Sequence, residues 1–178
     1  MPQARQHAVS PSLAVVLGGV AAGVIDITYA CTFWAIKSGA RPTRIFQSVA
    51  AGLLGREAAV AGGAATAALG LALHFFIALT VAVVYYSAAR YAEALWRRAW
   101  VYGPLYGVAV FGVMHYLVVP LSAAGTGHAA PFALVWDGLS IVFHAFGVGL
   151  PVALGARAAL RGRADLPPIV QSPTTARA

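Results

Sequence analysis

Four ionisable side chains lie inside long apolar runs of the 178-residue chain: Asp26, His74, His115 and His144. Asp137 lies two helical turns before His144, and His128 is in the loop ahead of both. A side chain that can carry charge at membrane depth is costly enough to indicate a functional site by default. Histidine and aspartate relay protons in membrane proteins. They also bind metal ions, and two facing histidines can ligate haem.

The composition predicts a membrane protein. Of the residues, 60% are hydrophobic and 10% are charged, whereas about 25% are charged in an ordinary soluble domain. A helix needs about 20 apolar residues to cross a hydrocarbon core of about 30 Å. Four stretches meet this requirement, at about residues 12–36, 63–89, 101–122 and 131–156. We therefore expect an all-α, integral membrane four-helix bundle in one transmembrane domain, residues 1–164, followed by a disordered tail, residues 165–178.

Small residues at helical spacing predict which face of each span is buried. Gly23 and Asp26 share one stripe in the first span, and Gly70 and His74 share one in the second. Small residues at a helix interface let two backbones approach closely. Both ionisable side chains are therefore expected to face the bundle rather than lipid. The third span has a GxxxG pattern at residues 103–107, which also indicates close packing.

The segment between the first two spans is too polar to cross a membrane. Residues 43–56 predict a short amphipathic helix in which Ile45, Phe46, Val49 and Leu53 share one face. An amphipathic helix of this kind lies in the membrane interface.

The basic residues indicate a membrane surface as the partner. The net charge is +7, but the arginines stand at the ends of the apolar runs rather than in one patch, so a lipid bilayer is expected and nucleic acid is not. With both termini inside, eight basic residues are cytoplasmic and four are outside: Lys37, Arg41, Arg44 and Arg56. This excess predicts cytoplasmic N- and C-termini. Eleven arginines to one lysine, with abundant alanine and glycine, indicate a GC-rich bacterium and its cytoplasmic (inner) membrane.

Alternating helix direction decides whether the four buried ionisable residues meet. They lie about 7 to 12 residues from the outer end of each predicted span, which at about 1.5 Å per residue is a layer under ~8 Å thick. One cluster is therefore predicted from Asp26, His74, His115 and His144. Asp137 and His128 are expected on its outer approach.

This cluster leaves several functions open. The leading hypothesis is a membrane protein, not an enzyme, that conducts or senses protons or a small ion. The alternative is a non-catalytic structural or accessory subunit, whose small-residue stripes dock it to a second copy or to a larger membrane complex. The third is a metal-binding or haem-binding protein, but no HxxxH or ExxH pair is present and four closely packed helices leave little room for a porphyrin. No cofactor is therefore expected, with a metal ion or haem as the alternative.

The order of motifs in the second half is similar to that of a known family. His74-Phe75-Phe76 opens an aliphatic run to Tyr85-Tyr86, and Gly103, Gly107, Met114-His115, Pro120-Leu121, Asp137 and His144 follow. This layout resembles the YagU-type family of bacterial inner-membrane proteins. The first half, with Gly19, Gly23, Asp26 and the segment from Arg41-Pro42 to Gln47, is similar to shorter relatives of that family. The resemblance implies an integral inner-membrane protein linked to acid tolerance, with no established reaction or ligand. Asp137 stands where the family pattern has a glutamate.

Overall fold

The computed structural model describes residues 10–125, 127 and 131–164, and within these ranges the regular structure is entirely helical. The first helices are α1 (Pro11–Ser38), α2 (Pro42–Leu54), α3 (Arg56–Ala61), α4 (Gly63–Ala89) and α5 (Glu93–Arg97). Helix α6 comprises Ala99–Val113, a π-helical segment at Met114–Val118 and a last turn at Val119–Leu121. Helix α7 comprises Leu134–Phe143, a π-helical segment at His144–Gly149 and Leu150–Ala164.

Helices α1, α4, α6 and α7 are long and apolar enough to cross a membrane, and they confirm the predicted all-α bundle. The bounds of the first three follow the sequence prediction closely, and the second span agrees with it at both ends. The last helix begins at Leu134, three residues later than predicted, and continues to Ala164, eight residues beyond the predicted end. At the start of α1, the Ser10 hydroxyl accepts a hydrogen bond from the Leu13 amide at 3.3 Å, as a helix cap should.

The four spans run alternately up and down. We call the end with Pro11 and Arg161 the proximal end, and the end with Ser38 and Leu134 the distal end. Helix α7 packs on both α1 and α6, and α4 packs on α1 and α7. Helix α7 is therefore the element that brings the first and third spans together.

Glycines set the closest of these contacts. A Cβ at Gly18 would lie 3.0 Å from the Pro151 carbonyl oxygen and 3.1 Å from the Gly155 Cα, so α1 and α7 meet backbone to backbone. On the other face of α7, a Cβ at Gly107 would overlap the His144 carbonyl oxygen. The GxxxG pattern of the third span thus packs against the fourth, as its small residues predict.

The predicted amphipathic helix is present as α2, but its buried face differs from the expected one. Ile45 is buried as expected, whereas Leu53 is 63% exposed and Gln47 is 6% exposed. The reason is a close contact with α4, because a Cβ at Gly70 would overlap the Phe46 carbonyl oxygen. The Gln47 amide is then satisfied by donating to the Gly63 carbonyl at 2.9 Å. Helix α2 therefore packs on the second span with a small and partly polar face.

Packing differs between the two ends of the bundle. The main hydrophobic core lies in the proximal half, where alanines surround Tyr85, Trp96 and Val152. Two tyrosines link helices in this half: the Tyr106 hydroxyl donates to the Val81 carbonyl and the Tyr85 hydroxyl donates to the Leu95 carbonyl, both at 2.9 Å. The distal half instead contains cavities.

Both π-helical segments end two residues before a proline. Met114–Val118 precedes Pro120, and His144–Gly149 precedes Pro151. Proline within a helix has no amide proton to donate, and its ring clashes with the carbonyl four residues earlier. A wider turn before the proline relieves that clash. The third span ends at Leu121, just after Pro120.

We predict that Gly107→Ala lowers the stability of the protein in detergent by about 1–3 kcal/mol, because the added methyl group must push α6 away from α7. Thermal unfolding of the purified protein measures this loss. The matched control is Gly112→Ala in the same helix, since a Cβ there meets nothing within 4 Å. Equal unfolding temperatures for the two variants would contradict the backbone contact.

Candidate functional site

The site is centred on a contact between the first and last spans. His144 Nε2 lies 3.6 Å from Asp26 Oδ1, and the two side chains are 19% and 26% exposed. This separation suits an ion pair when the imidazole is protonated, but it is too long for a hydrogen bond. A small movement of either side chain, or one bridging water, would therefore allow a proton to pass between them.

A hydrogen bond of His144 determines which of its two ring nitrogens can exchange a proton with Asp26. Nδ1 lies 2.7 Å from the Ser140 carbonyl oxygen. A carbonyl oxygen only accepts, so Nδ1 must carry a proton and donate it. In the neutral ring Nε2 is then the unprotonated nitrogen, and it is the atom that gains or loses a proton opposite Asp26.

His74 is placed next to this pair but is bonded elsewhere. Its Nε2 donates to the Gly23 carbonyl of α1 at 2.9 Å, one helical turn before Asp26. The two spans can approach this closely because position 23 is a glycine. A Cβ there would lie 2.9 Å from the ring of Phe75, the residue next to His74. His74 therefore links the second span to the first.

His115 lies on the opposite side of the pair. Its ring stacks on Phe111 with centroids 5.3 Å apart, and Phe111 in turn meets the His144 ring edge to face at 5.4 Å. Nε2 of His115 is buried and has no hydrogen-bond partner among the described residues. An unsatisfied buried polar atom is costly, and it marks a position where packing alone does not explain the side chain.

Two neighbouring cavities share the Asp26–His144 pair as a common wall. The larger, which we call the distal cavity, has a volume of about 420 Å³ and extends to Lys37, Trp136 and Asp137 at the distal end. His115 lines it. The smaller has a volume of about 240 Å³ and is lined by His74 and by residues of α2. Sequence reasoning placed the four residues in one layer, and the structure arranges them around two cavities with Asp26 and His144 between.

Asp137 borders the distal cavity and also closes the first turn of α7. Its Oδ2 accepts a hydrogen bond from the Ala133 amide at 2.5 Å. A carboxylate near a helix N-terminus is stabilised by the free amide groups there. Nearby, the Tyr29 and Ser140 hydroxyls lie 3.0 Å apart and add polar groups to the cavity wall. His128, the other residue predicted on the outer approach, lies outside the described residues.

The described residues do not assemble a metal centre. Within residues 10–125, 127 and 131–164, no group of three or more His, Cys, Asp or Glu side chains is arranged to hold a metal ion. His144 donates to a backbone carbonyl through Nδ1 and His74 through Nε2, so each ring has one nitrogen left without a backbone bond.

Two features of the site escaped sequence reasoning. One is that His115 and His144 both lie in π-helical segments, which in other proteins are frequent at functional sites. Pro120 and Pro151 were the signals for it. The other is Lys37, whose ammonium lies among aromatic rings at the mouth of the distal cavity. Its sequence signal is Phe33 and Trp34, which lie four and three residues earlier on the same helical face.

Comparison of the chain with protein-family models, with curated proteins and with solved structures finds no match. The resemblance to the YagU-type family therefore remains a prediction from the layout of the sequence.

We predict different stability effects for the same substitution at two histidines. His74→Phe should lower stability by about 0.6 to 2 kcal/mol, because it removes a hydrogen bond between two spans. His115→Phe should leave stability unchanged or raise it, because it removes an unsatisfied polar atom and keeps the stacking on Phe111. Thermal unfolding in detergent compares the two. A larger loss at His115 than at His74 would show that the assigned contacts are wrong.

Proposed function

We propose that this is a multi-pass membrane protein that takes up, releases and conducts protons at the Asp26–His144 pair. The observation that carries the proposal is the 3.6 Å contact between these side chains at the wall of a cavity that extends to the distal end. The four apolar helices make it a membrane protein. The proton function goes beyond that finding and rests on the chemistry of the pair.

The pair has two states that differ in where one proton lies. In one, an imidazolium faces a carboxylate, and in the other a neutral imidazole faces a protonated carboxyl group. Neither state leaves a net charge on the pair, so a proton can shift between Nε2 and Oδ1 without placing an isolated charge at membrane depth. A proton that arrives from either side adds one unit of charge to the pair, and either Asp26 or His144 can bind that proton.

The cavities favour access from the distal end in this conformation. The distal cavity connects the pair to Lys37 and Asp137, whereas the proximal half is closed by the alanine-rich core and its two bonded tyrosines. Conduction across the membrane therefore requires the proximal half to open. The two π-helical segments lie at the boundary of the cavities and supply turns with weaker hydrogen bonding at which α6 and α7 can bend.

The accessory-subunit hypothesis has less support from the packing. It requires small-residue stripes that are free to dock with another chain. Gly18, Gly107 and Gly155 are instead used in contacts within this chain. Stripes used inside the bundle cannot serve a partner, so we keep proton handling as the main proposal.

We propose the bacterial cytoplasmic membrane as the location, with both chain ends cytoplasmic. The proximal end then faces the cytoplasm, where the excess of arginine favours it. The distal cavity opens to the outside. An outward-facing acceptor of protons is consistent with the acid-tolerance link that the family resemblance implies.

We predict that the purified protein conducts protons when reconstituted in liposomes and that Asp26→Asn and His144→Asn each abolish the flux. Each change removes one of the two groups that exchange the proton. The measurement is the decay of a pH gradient, followed with an enclosed pH-sensitive dye. The control is Glu93→Gln, which removes a carboxylate that is 70% exposed and paired with Arg97 at the proximal end.

The flux measurement is decisive when combined with unfolding temperatures. Loss of flux in a variant that unfolds at the parent temperature supports a direct role of the pair. A parent protein whose proteoliposomes leak protons no faster than empty liposomes would refute conduction.

Topology gives a separate prediction. In a Cys31→Ser background, which removes the free cysteine of α1, Arg44→Cys should react with an impermeant maleimide added to intact cells. Arg97→Cys should react only after permeabilisation. Both side chains are exposed, so access rather than burial decides the labelling. The reverse pattern, or equal labelling of both sites in intact cells, would disprove cytoplasmic termini.

A further inference from the structure

Three aromatic rings surround the ammonium group of Lys37 at the mouth of the distal cavity. Its Nζ lies 4.7 Å from the ring centroid of Trp34, 5.0 Å from that of Trp136 and 5.4 Å from that of Phe33. We call Phe33, Trp34 and Trp136 the aromatic cage. Phe33 meets both tryptophan rings edge to face, at 5.6 and 5.4 Å, so the cage is assembled from two spans and held by its own contacts.

A cage of this composition selects cations. A cation within about 6 Å of an aromatic centroid is attracted by the negative face of the ring, and tryptophan is the best of the three aromatic types. Recognition of quaternary ammonium ligands uses such cages. Lys37 is the only lysine in a chain with eleven arginines. The cage thus holds the one side chain whose charged group is a compact ammonium rather than a planar guanidinium.

The cage is open to exchange. Trp34 is 42% exposed and Trp136 is 38% exposed, and Lys37 is exposed as well. A flexible four-carbon stem carries the ammonium, so it can leave the cage without any backbone movement.

The cavity behind the cage completes a ligand site. Its volume of about 420 Å³ falls within the roughly 300–1,000 Å³ of small-molecule sites. Its wall is mostly apolar and aromatic, with Tyr29 and Phe111 among the rings, and it contains the carboxylates Asp26 and Asp137. Apolar walls with a few carboxylates suit a ligand that is positively charged and carries hydrocarbon groups.

We propose that the distal cavity binds an alkylated ammonium cation, whose charged head replaces the Lys37 ammonium between the rings of the aromatic cage. Lys37 is then a tethered competitor that occupies the cage when no ligand is bound. The proposal rests on the cavity of the proposed function, to which it adds a ligand class, but it does not require proton flux.

The test uses choline and its neutral isostere 3,3-dimethylbutan-1-ol as probes, with the full chain in dodecyl maltoside. Binding is followed by tryptophan fluorescence and by calorimetry. Choline should bind at least about tenfold more tightly than the alcohol, because only the cation is attracted by the ring faces. Equal binding of the two probes, or binding of neither, would overturn the proposal. The rings would then be an ordinary aromatic belt beside a lysine that reaches the interface.

Variants separate the cage from general stability. Trp136→Leu should weaken choline binding about 3- to 30-fold, the range for one cation–π contact. Trp100→Leu is the matched control, because Trp100 is 65% exposed at the proximal end. Lys37→Gln should strengthen choline binding about three- to tenfold by removing the competitor. Arg41→Gln, a nearby cation outside the cavity lining, should change nothing.

The choline affinity of Lys37→Gln tests the proposal even if Trp136→Leu fails to fold, because misfolding does not increase affinity. Unchanged or weaker choline binding in Lys37→Gln would refute the tethered competitor. Choline binding without proton flux would remove conduction and leave the cation site. Proton flux without choline binding would support conduction and refute the cation site.

A free solute and a lipid headgroup can both supply alkylated ammonium. Nanodiscs of phosphatidylglycerol and of phosphatidylcholine distinguish them. Choline binding that persists in phosphatidylglycerol and is lost in phosphatidylcholine assigns the headgroup as the ligand. Equal choline binding in both assigns a free solute. No choline binding in either membrane contradicts the proposal.

Discussion

The structure depends on how closely α7 approaches its neighbours. Its backbone meets α1 at Gly18 and Gly155, and it meets α6 at Gly107. Lipid tails are as apolar as leucine, so spans associate through close packing and hydrogen bonds rather than through burial from water. A side chain larger than glycine at these points would separate the backbones. The position of Asp26 relative to His144, and hence the chemistry of the site, follows from this separation.

The two halves of the bundle are packed differently. In the proximal half, the spans are packed by alanines and by two tyrosines that donate hydrogen bonds to backbone carbonyls. In the distal half, large aromatic side chains form the contact between α1 and α7. Tyr29 stacks on Phe143 with centroids 3.8 Å apart, and Phe33 meets Trp136. The aromatic contacts hold α1 and α7 together while leaving space between them and α6.

Much of the fold was predictable because it follows from composition and spacing. Four apolar runs of sufficient length gave the spans, and small residues at helical spacing gave the buried faces, including that of Gly23 and Asp26. The buried face of α2 was not predictable from hydrophobicity, since the contact is decided by the missing side chain of Gly70 on another helix. A preference that arises only between two elements leaves no periodic signal in either one.

The sequence predicted that the four ionisable residues lie at one level of the bundle, but it did not predict their contacts. Alternating helix direction is enough to bring Asp26, His74, His115 and His144 to one level. Which of them touch depends on ring orientation, and that is set by partners such as the Gly23 and Ser140 carbonyls. Every residue has a backbone carbonyl, so residue types do not indicate which carbonyl a histidine will bond. The hydrogen bond of His74 to Gly23 could therefore not be predicted from the sequence.

The π-helical segments have a consequence for how this sequence can change. A π turn contains one residue more than an α turn closed at the same carbonyl, whereas a residue deleted from a regular α-helix rotates all that follows by about 100°. A single deletion within Met114–Val118 or His144–Gly149 would leave an α turn in place of the π turn, so the rest of that span would keep its face. Insertions and deletions are usually tolerated least in the regular parts of helices. Here the two spans that carry His115 and His144 each contain a segment that can lose one residue without a change in the register of the bundle.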